Sequence, residues 1–379
     1  MNVLVLPSWY PDNQNPLDGV FFKEQVEALS KRGVNITVLS IKIMSLSAIK
    51  SNKRKLGLNI SIENGVKVYR YYTYNYFPKV TELYLRYYSY LIKKLTKKII
   101  RENPNIKLVH IHSAIDAGIA YNLSKVNIPY IITEHSSKYQ RNVLNKTQQK
   151  YLKSTFDGAR KVIVVGKGLK LALSKYIDRN KIDIIPNLLS LTRGCSDNDN
   201  NRTKMRFFSL GVLTKTKGMD ILIKAFNSVK DHLKEWELVI GGDGQEYDDL
   251  NELIKSYNLQ KQVKLIGQLN REEVAYNMKN CDVFVLASRV ETFGIVFLEA
   301  MIYGKPVIGT RTGGPDTFIN DNNGIIVEPE NIEQLSKALV EMANNLNKYN
   351  SSDIINYCDK NFSEEAICDK IISIYKEVK

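Results

Sequence analysis

Short runs of apolar, mostly β-branched residues alternate with amphipathic helical stretches twice along this chain of 379 residues. One series ends before residue 190 and the other begins after residue 204. Such runs between helices are typical of parallel strands buried on both faces of a sheet. The length suits two domains of ordinary size, and the composition shows no collagenous, low-complexity or disordered bias. The pattern therefore predicts an α/β protein of two doubly wound domains.

The predicted strands can be placed in both series. In the first half they are Val3 to Leu6, Asn35 to Ser40, Lys107 to His112, Pro129 to Thr133, Lys161 to Val165 and Lys181 to Ile185. In the second half they are Phe207 to Leu210, Glu237 to Ile240, Val263 to Leu265, Val283 to Leu286, Pro306 to Gly309 and Gly324 to Val327. The polar stretch from Ser190 to Lys204 has no hydrophobic periodicity and is predicted to be a linker. We therefore expect one domain over residues 1–190 and another over 191–362.

The excess positive charge belongs to the first half alone. Residues 1–190 hold 31 Lys+Arg and 12 Asp+Glu, whereas residues 191–379 hold 23 and 28. This asymmetry predicts a polyanionic partner, either anionic lipid headgroups or nucleic acid, with a merely solvated basic face as the alternative. The chain has no recognisable nucleic-acid reader motif, so we expect no nucleic-acid partner.

A basic, tyrosine-rich helix is predicted from Tyr84 to Arg101. One face carries Tyr84, Tyr88, Leu91, Leu95 and Ile99, and the other faces carry Arg86, Lys93, Lys94, Lys97, Lys98 and Arg101. This arrangement predicts an interfacial helix on an anionic membrane. An ordinary amphipathic helix packed on its own domain is the alternative.

The cysteines and the hydropathy pattern indicate a compartment. Cys195, Cys281, Cys358 and Cys368 show no C-x-x-C spacing and are too few for a disulfide framework. The apolar runs fall far short of the roughly 20 residues that span a bilayer. We expect a cytoplasmic protein with no exported or membrane-spanning segment, held peripherally on the inner face of the plasma membrane.

The segment from Ser288 to Ala300 carries the strongest chemical signal. It runs from a buried strand through a short loop into a helix that starts near Gly294. Free backbone N–H groups at a helix start bind anions, and glycine allows a close approach. Glu291 and Glu299 would flank the anion with carboxylates that accept hydrogen bonds from sugar or ribose hydroxyls.

This segment resembles the E-x7-E signature of the family-four retaining glycosyltransferases, which have the GT-B fold. Other matches follow in the family's order: Ile185-Pro-Asn187, Ser209-Leu-Gly211, Lys217-Gly218, Gly241 to Gly244, Gly267, Gly304 to Pro306 and Gly313-Gly314. The resemblance implies two Rossmann-like domains facing across a cleft, with the last helix, 363–379, packed back on the first domain. It also implies transfer of a hexose or N-acetylhexosamine from a nucleotide diphosphate sugar to a lipid-linked or growing glycan acceptor in surface polysaccharide biosynthesis.

The resemblance assigns roles in the second domain. Glu291 would contact the donor sugar, Glu299 the ribose, and the backbone of Gly294, Ile295 and Val296 the diphosphate. Thr292, Phe293, Gly211 and Gly267 would line the same donor site. Lys217 would bind the diphosphate and stabilise it as it leaves. Where the family usually has Arg after the glycine, this chain has Val212. The second cation is then missing, or is supplied by Lys215 or Arg289.

The first domain offers Gly19 and His112. Gly19, in the loop after the first strand, resembles the glycine that approaches donor phosphate and acceptor. His112 matches a histidine that lines the donor-sugar pocket, and His110 is expected to be structural. A zinc site would need more ligands than His135 can add. The chain has no Asp-x-Asp pair placed to hold a divalent ion, so we expect metal-independent activity without a cofactor.

Two other functions fit parts of the pattern. A soluble synthase that acts on a small free or phosphorylated sugar would share the donor site and differ only in its acceptor. A basic nucleic-acid-binding protein would explain the charge but not the motifs. The donor sugar and its base stay open at this point.

Overall fold

The computed structural model describes residues 1–16, 18–189, 203–233 and 235–378. Nearly all of the predicted linker from Ser190 to Lys204 lies outside these residues, as does Cys195. The chain divides into two compact units. Unit 1 comprises Met1–Leu188 and Glu364–Lys379, and unit 2 comprises Leu189–Ser363.

Two sets of elements build the units. The strands are β1 (Asn2–Pro7), β2 (Asn35–Met44), β3 (Gly57–Glu63), β4 (Val66–Tyr74), β5 (Leu108–His112), β6 (Tyr130–Glu134), β7 (Lys161–Val164), β8 (Ile182–Ile184), β9 (Met205–Leu210), β10 (Trp236–Gly241), β11 (Val263–Leu265), β12 (Val283–Val285), β13 (Val307–Thr310) and β14 (Gly324–Val327). The helices are α1 (Val20–Lys31), α2 (Thr81–Glu102), α3 (Ile119–Ser124), α4 (Lys146–Asp157), α5 (Lys167–Leu173), α6 (Met219–Val229), α7 (Tyr247–Ser256), α8 (Arg271–Asn280), α9 (Ile295–Met301), α10 (Ile332–Asn344), α11 (Ser351–Phe362) and α12 (Glu364–Glu377).

Each unit is a Rossmann-like sheet whose strand order reverses at one point. In unit 1 the order is β3-β4-β2-β1-β5-β6-β7-β8, and in unit 2 it is β11-β10-β9-β12-β13-β14. The reversal lies between β1 and β5 in the first sheet and between β9 and β12 in the second. The loops that leave the carboxyl ends of these strands diverge, which makes the reversal the usual place for a ligand. The prediction of two doubly wound α/β domains is confirmed.

The edge of the first sheet differs from the sequence prediction. β3 and β4 form an antiparallel hairpin in which Glu63 pairs with Val66, and β4 then pairs in parallel with β2. Asn64 and Gly65 make the turn with φ of 48° and 82°. Asn-Gly is the preferred pair for such a turn, so the sequence carried a signal for the hairpin that our strand prediction missed.

The last helix completes the core of unit 1. Ile371 and Tyr375 of α12 belong to the same buried cluster as Phe22 and Val26 of α1. Arg32, which follows α1, binds Asp369 at 2.7 Å on the exposed side of this contact. The core of unit 1 is therefore built from two segments that unit 2 separates in the sequence.

Helix α2 buries the apolar face that the sequence analysis assigned to the membrane. Tyr88, Leu91, Leu95 and Ile99 are buried, and burial raises the pKa of the Tyr84 hydroxyl on the same face. The interfacial interpretation of this face is wrong, because the core of unit 1 already covers it. The exposed face of α2 carries Leu83, Arg86, Tyr90, Lys93, Lys94, Lys97, Lys98 and Arg101.

Two further sequence expectations concern membrane-spanning segments and the cysteines. In the described ranges, every helix is too short or too polar to cross a membrane. Among the described residues, Cys281, Cys358 and Cys368 are buried and form no disulfide.

Candidate active site

Most of the residues singled out from sequence lie in loops that follow strands at the two strand reversals. In unit 1, Gly19 ends the loop that follows β1, and His112 is the last residue of β5, paired with Pro7 of β1. In unit 2, Gly211 and Lys217 follow β9, whereas Glu291 and Gly294 follow β12. Strands β9 and β12 are neighbours, with Phe208 opposite Phe284. The sheet order therefore brings these two loops of unit 2 together.

Glycines let the β9 loop pack closely on its surroundings. A Cβ atom on Gly211 would meet the Lys217 side chain at 3.4 Å, so the lysine stem lies across this residue. Gly218 has a φ of 65°, and a Cβ atom there would lie 2.0 Å from the carbonyl oxygen of Ala287, beyond β12. Any side chain at residue 218 would separate the two loops. Lys217 is thereby held against the loop that contains Glu291.

Lys217 and Glu291 form an ion pair at this junction. The Nζ atom of Lys217 lies 2.6 Å from Oε2 of Glu291. The Lys217 side chain is 26% exposed and that of Glu291 12%. A charge-assisted hydrogen bond in a partly desolvated position is stronger than an exposed one. The pair remains accessible to a ligand from the Lys217 side.

The start of α9 adds free backbone donors. Gly294 has a φ of 87°, and a Cβ atom there would lie 2.7 Å from Cδ2 of Phe297. The first hydrogen bond of the helix runs from Phe297 N to the carbonyl of Gly294 at 3.1 Å. The amides of Ile295 and Val296 precede that bond, as expected for the first turn of a helix.

The loop before α9 packs against Phe318 and the backbone of Gly314. Phe293 is buried and its ring lies 5.3 Å from that of Phe318. A Cβ atom on Gly314 would come within 2.6 Å of the Glu291 carbonyl oxygen and 2.7 Å of the Phe293 amide nitrogen. The loop therefore rests directly on the Gly314 backbone, and Thr292 remains partly exposed between its two neighbours.

Arg289 binds protein groups with most of its guanidinium. Its Nη1 and Nη2 atoms donate to the carboxylate of Asp220 at 2.8 and 3.0 Å. Nη1 also donates to the carbonyl of Lys215 at 2.6 Å, and Nε donates to Glu330 at 2.9 Å. Four of the five N–H donors are thus engaged. Arg289 therefore links the β9 loop to α6 and positions these two segments. Most of its guanidinium is engaged by protein groups.

The ammonium group of Lys215 lies in a different environment from the guanidinium of Arg289. Lys215 is exposed, and within the described residues its Nζ atom forms no ion pair. Of the two cations considered as substitutes for an arginine at position 212, Lys215 is the one with a free charge. Val212 itself is 62% exposed.

Two further predicted donor residues lie on other segments of unit 2, after β11 and within α9. Gly267 follows β11, at the edge of the sheet, and its carbonyl accepts a hydrogen bond from Gly242 N at 2.7 Å. Gly242 in turn packs on the carbonyl of Gly211, where a Cβ atom would approach to 2.0 Å. Glu299 lies within α9 and is partly exposed.

The loop that carries Gly19 is held by buried charge. Asp12 accepts hydrogen bonds from Arg54 Nε and Nη2, both at 2.8 Å, and from the backbone amides of Gln14 and Asn15 at 2.9 and 3.0 Å. Burial opposes ionisation of Asp12, but these donors outweigh it and lower its pKa to about 2. At Gly19, φ is 75° and a Cβ atom would lie 2.7 Å from Trp9 Cδ1. Only glycine fits at this point of the loop.

His112 is a buried, neutral imidazole. Its Nδ1 atom lies 3.3 Å from Nε2 of His135, and its ring centroid is 4.7 Å from that of Phe22. Burial, together with the neighbouring histidines, holds its pKa well below the ordinary value. His112 can therefore exchange hydrogen bonds near pH 7 but carries no charge there.

The other buried histidine of β5 is structural, as predicted. His110 uses both ring nitrogens, Nδ1 with the Tyr375 hydroxyl at 2.6 Å and Nε2 with Thr133 Oγ1 at 2.7 Å. In the described part of the chain, no group of three or more His, Cys, Asp or Glu residues is placed to hold a metal ion.

Sequence reasoning missed Glu134, the buried carboxylate at the end of β6. It accepts hydrogen bonds from Ser113 Oγ, the amides of Ala114, His135 and Ser136, and the Tyr139 hydroxyl, at 2.8 to 3.0 Å. These donors fix the loops that follow β5 and β6, the first of which begins directly after His112. An acid at the end of a buried strand was the available signal, because an unpaired charge is rarely buried.

The fold and this arrangement of glycines, lysine and glutamates define a two-domain glycosyltransferase. The first half matches the family model for Glycosyltransferase Family 4 over residues 19–193, and the second matches Glycosyl transferases group 1 over residues 196–357. An uncharacterized glycosyltransferase of Methanocaldococcus jannaschii is 33% identical over 68% of this chain and 71% of its own length. The chain therefore belongs to the glycosyltransferase family that these two models and this relative represent.

A further relative and two solved structures are also similar to this chain. A putative teichuronic acid biosynthesis glycosyltransferase of Bacillus subtilis is 26% identical over 89% of this chain and 88% of its own length. A glycosyltransferase from Rickettsia africae superposes with a TM-score of 0.72 at 20% identity, covering 100% of this chain and 98% of that one. The Anabaena protein HepE, solved with UDP and glucose, gives 0.71 at 17% identity with both chains fully covered. At these identities the structures establish the shared fold.

Proposed function

We propose that this glycosyltransferase moves a hexose or N-acetylhexosamine from a nucleotide diphosphate sugar to a lipid-linked or growing glycan acceptor, with retention of configuration, in surface polysaccharide assembly. Unit 2 binds the donor and unit 1 the acceptor. The single observation that carries the proposal is the ion pair of Lys217 with Glu291, next to the first turn of α9. This pair combines a cation for a diphosphate with an acceptor for sugar hydroxyls.

Donor binding changes the partner of Lys217. Its ammonium group moves from Glu291 to the diphosphate, whose oxygens also accept hydrogen bonds from the Ile295 and Val296 amides. Glu291 is then free to accept hydrogen bonds from the donor sugar, and Glu299 accepts them from the ribose. Gly211, Gly267, Thr292 and Phe293 line the remaining donor surface. Lys215 supplies the second cation, because the guanidinium of Arg289 is already bound to Asp220.

Bond cleavage then depends on stabilising the leaving group. As the bond between the anomeric carbon and the diphosphate oxygen breaks, negative charge grows on that oxygen beside Lys217 and the helix amides. The acceptor hydroxyl attacks from the same face and passes its proton to the departing phosphate oxygen. Gly19 and His112, at the strand reversal of unit 1, are the residues of that unit that we assign to phosphate and sugar binding. The reaction needs no metal ion and no cofactor in this mechanism.

The acceptor class rests on charge and on relatives. Unit 1 holds the basic half of the sequence, and phosphate-bearing glycan carriers are anionic. The Bacillus subtilis relative is named as a putative teichuronic acid biosynthesis glycosyltransferase. The chain would then work in the cytoplasm, peripherally on the inner face of the plasma membrane, where such carriers are found.

A donor and acceptor panel tests the proposal. Uridine, guanosine and adenosine diphosphate sugars are screened by thermal shift, since a ligand that binds only the native state raises the melting temperature. The stabilising donor is then offered with lipid-linked acceptors and, separately, with free or phosphorylated sugars. Transfer to the lipid-linked acceptor with retained configuration is the expected result. Transfer to a free sugar alone would instead indicate a soluble synthase, and binding of oligonucleotides without any donor would overturn both.

A further inference from the structure

Unit 1 contains a groove at the amino ends of β5 and β6, whereas His112 lies at the carboxyl end of β5. The groove, of about 560 Å³, lies between the C-terminal half of α2, residues 104–107 that lead into β5, and residues 125–129 that lead into β6. Strand β5 spans five residues between this edge and the carboxyl end. At about 3.3 Å per residue, the two edges are separated by roughly 13 Å along the strand. The groove is therefore distinct from the loops that carry Gly19 and His112.

Four lysines line the groove, and no acidic residue does. They are Lys93 and Lys97 of α2, Lys107 before β5, and Lys125 after α3. All four are exposed, and within the described residues none of them forms an ion pair. The nearby acid of α2, Glu102, is already bound by Lys67 and Lys98, each at 3.0 Å. Four uncompensated cations around one groove predict an anionic ligand.

The floor between these lysines is apolar. Ile106 is buried beneath the surface, and Ile100, Val126 and Ile128 are partly exposed around it. No aromatic ring is among the lining residues, so the groove lacks the stacking surface on which nucleic-acid bases bind. A ligand that satisfies both the cations and the apolar floor carries a negative headgroup joined to a hydrocarbon chain.

We propose that this groove binds an anionic membrane lipid, with its phosphate among the four lysines and the first part of its hydrocarbon chain on the isoleucine and valine floor. The lipid is held by a site of defined composition rather than by the general positive charge of unit 1. This site replaces the buried face of α2 as the membrane contact of the chain. The inference does not depend on the donor chemistry of unit 2, because it concerns unit 1 alone.

Titration of a soluble phospholipid tests the groove directly. Wild-type protein is titrated in low salt with dihexanoyl phosphatidic acid, dihexanoyl phosphatidylcholine and inorganic phosphate, using calorimetry. Only phosphatidic acid is expected to bind well. A Lys93→Gln, Lys97→Gln, Lys107→Gln, Lys125→Gln variant should bind it at least tenfold more weakly, since each lysine near an anionic headgroup contributes about fivefold.

Two further variants separate the groove from general charge. A control with Lys31→Gln, Lys50→Gln, Lys94→Gln and Lys146→Gln removes the same charge from exposed positions of unit 1 outside the groove. It should bind phosphatidic acid within twofold of the wild type. Val126→Asn should weaken phosphatidic acid binding severalfold without changing the response to inorganic phosphate. Unchanged circular dichroism shows that each variant is folded.

Several outcomes would overturn the proposal. Equal losses in the groove variant and the control would mean that only the net charge matters. Inorganic phosphate binding as tightly as phosphatidic acid would mean that the floor has no role. Competition by a 20-nucleotide single strand at micromolar concentration would mean that the groove takes nucleic acid. Co-sedimentation with vesicles of phosphatidylcholine containing 30 mol% phosphatidic acid should follow the same order of variants.

Discussion

Lys217 and Glu291, 74 positions apart in the sequence, meet at 2.6 Å where two neighbouring strands of unit 2 end. Each is the other's counterion in the absence of ligand, so neither charge is left uncompensated in a partly buried place. A diphosphate that takes over the lysine also releases the glutamate. In the proposed mechanism, this contact links binding of the leaving group to binding of the donor sugar.

Removing either member of this pair should abolish most of the transfer activity. Lys217→Ala and Glu291→Gln are each expected to lower kcat by about two orders of magnitude or more, because each acts where charge develops. Lys255→Ala, an exposed lysine of α7, is the control and should keep wild-type rates. Circular dichroism checks the fold. Normal turnover in Lys217→Ala or Glu291→Gln would remove that residue from the site.

Exchanging the two charges separates stability from chemistry. The double variant Lys217→Glu, Glu291→Lys retains an ion pair and should melt close to the wild type, whereas each single change leaves two like charges together and melts lower. Transfer activity should remain at least 100-fold down in the double variant, because the cation then stands in the sugar position. Recovery of activity along with stability would show that the pair is only structural.

Arg289 should behave as a positioning residue. Arg289→Lys loses the paired hydrogen bonds to Asp220, and we expect about a tenfold loss of kcat/KM with a lower melting temperature. Asp220→Asn should have a similar effect, and the double variant should be little worse than either single one. Additive losses in steady-state kinetics would instead indicate that Arg289 contacts the donor independently.

The transfer reaction should survive chelators. Lys217 and the amides at the start of α9 can neutralise the diphosphate without a divalent ion. Activity measured after dialysis against EDTA is therefore expected to match the untreated enzyme. Loss of activity that magnesium or manganese restores would contradict this mechanism.

Acid should weaken unit 1 through Asp12 and Glu63. In both, burial disfavours the ionised form, but hydrogen bonds from Arg54 and Arg70 respectively lower the pKa to about 2. Their stabilising contribution is therefore complete above about pH 5 and is lost as pH falls from there towards 2. Asp12→Asn should lower the free energy of unfolding by about 2 kcal/mol at pH 7, and this difference should shrink by pH 3.

The matched control for that variant is Asp18→Asn. Asp18 is 38% exposed and lies 3.3 Å from Lys42, so its removal should cost less than 1 kcal/mol. Urea unfolding at pH 7, 5, 4 and 3 gives both comparisons. An Asp12→Asn variant as stable as Asp18→Asn at pH 7 would mean that the Arg54 contact contributes little.

The sequence was sufficient to predict the strands of both sheets except β3 and β4, and the loops in which Glu291, Lys217 and Gly19 lie, because buried parallel strands have continuous β-branched runs. Which residues meet could not be predicted. The contact between Lys217 and Glu291 depends on β9 lying beside β12, and strand order is a long-range property. The engagement of Arg289 by Asp220 depends on the same packing, so Arg289 could not be distinguished from Lys215 as a free cation.

Helix α2 illustrates a different limit. Its pattern of tyrosines and lysines fits a membrane surface and a protein core equally well, since both accept one apolar face. The neighbouring elements decide between them, and they bury Tyr88 and Leu91. The hairpin of β3 and β4 was missed for a local reason, because the Asn64-Gly65 turn was not considered.

The position of α12 also bears on how the protein is made. The core of unit 1 includes Ile371 and Tyr375 of α12, but the 175 residues of unit 2 leave the ribosome before them. At about 5–20 residues per second, unit 1 waits on the order of ten seconds or more with α1 and the β5 histidines incompletely covered. Unit 2 can fold during that interval, whereas the core of unit 1 cannot be completed until α12 has been synthesised. Of the two units, unit 1 is thus begun before unit 2 and completed after it.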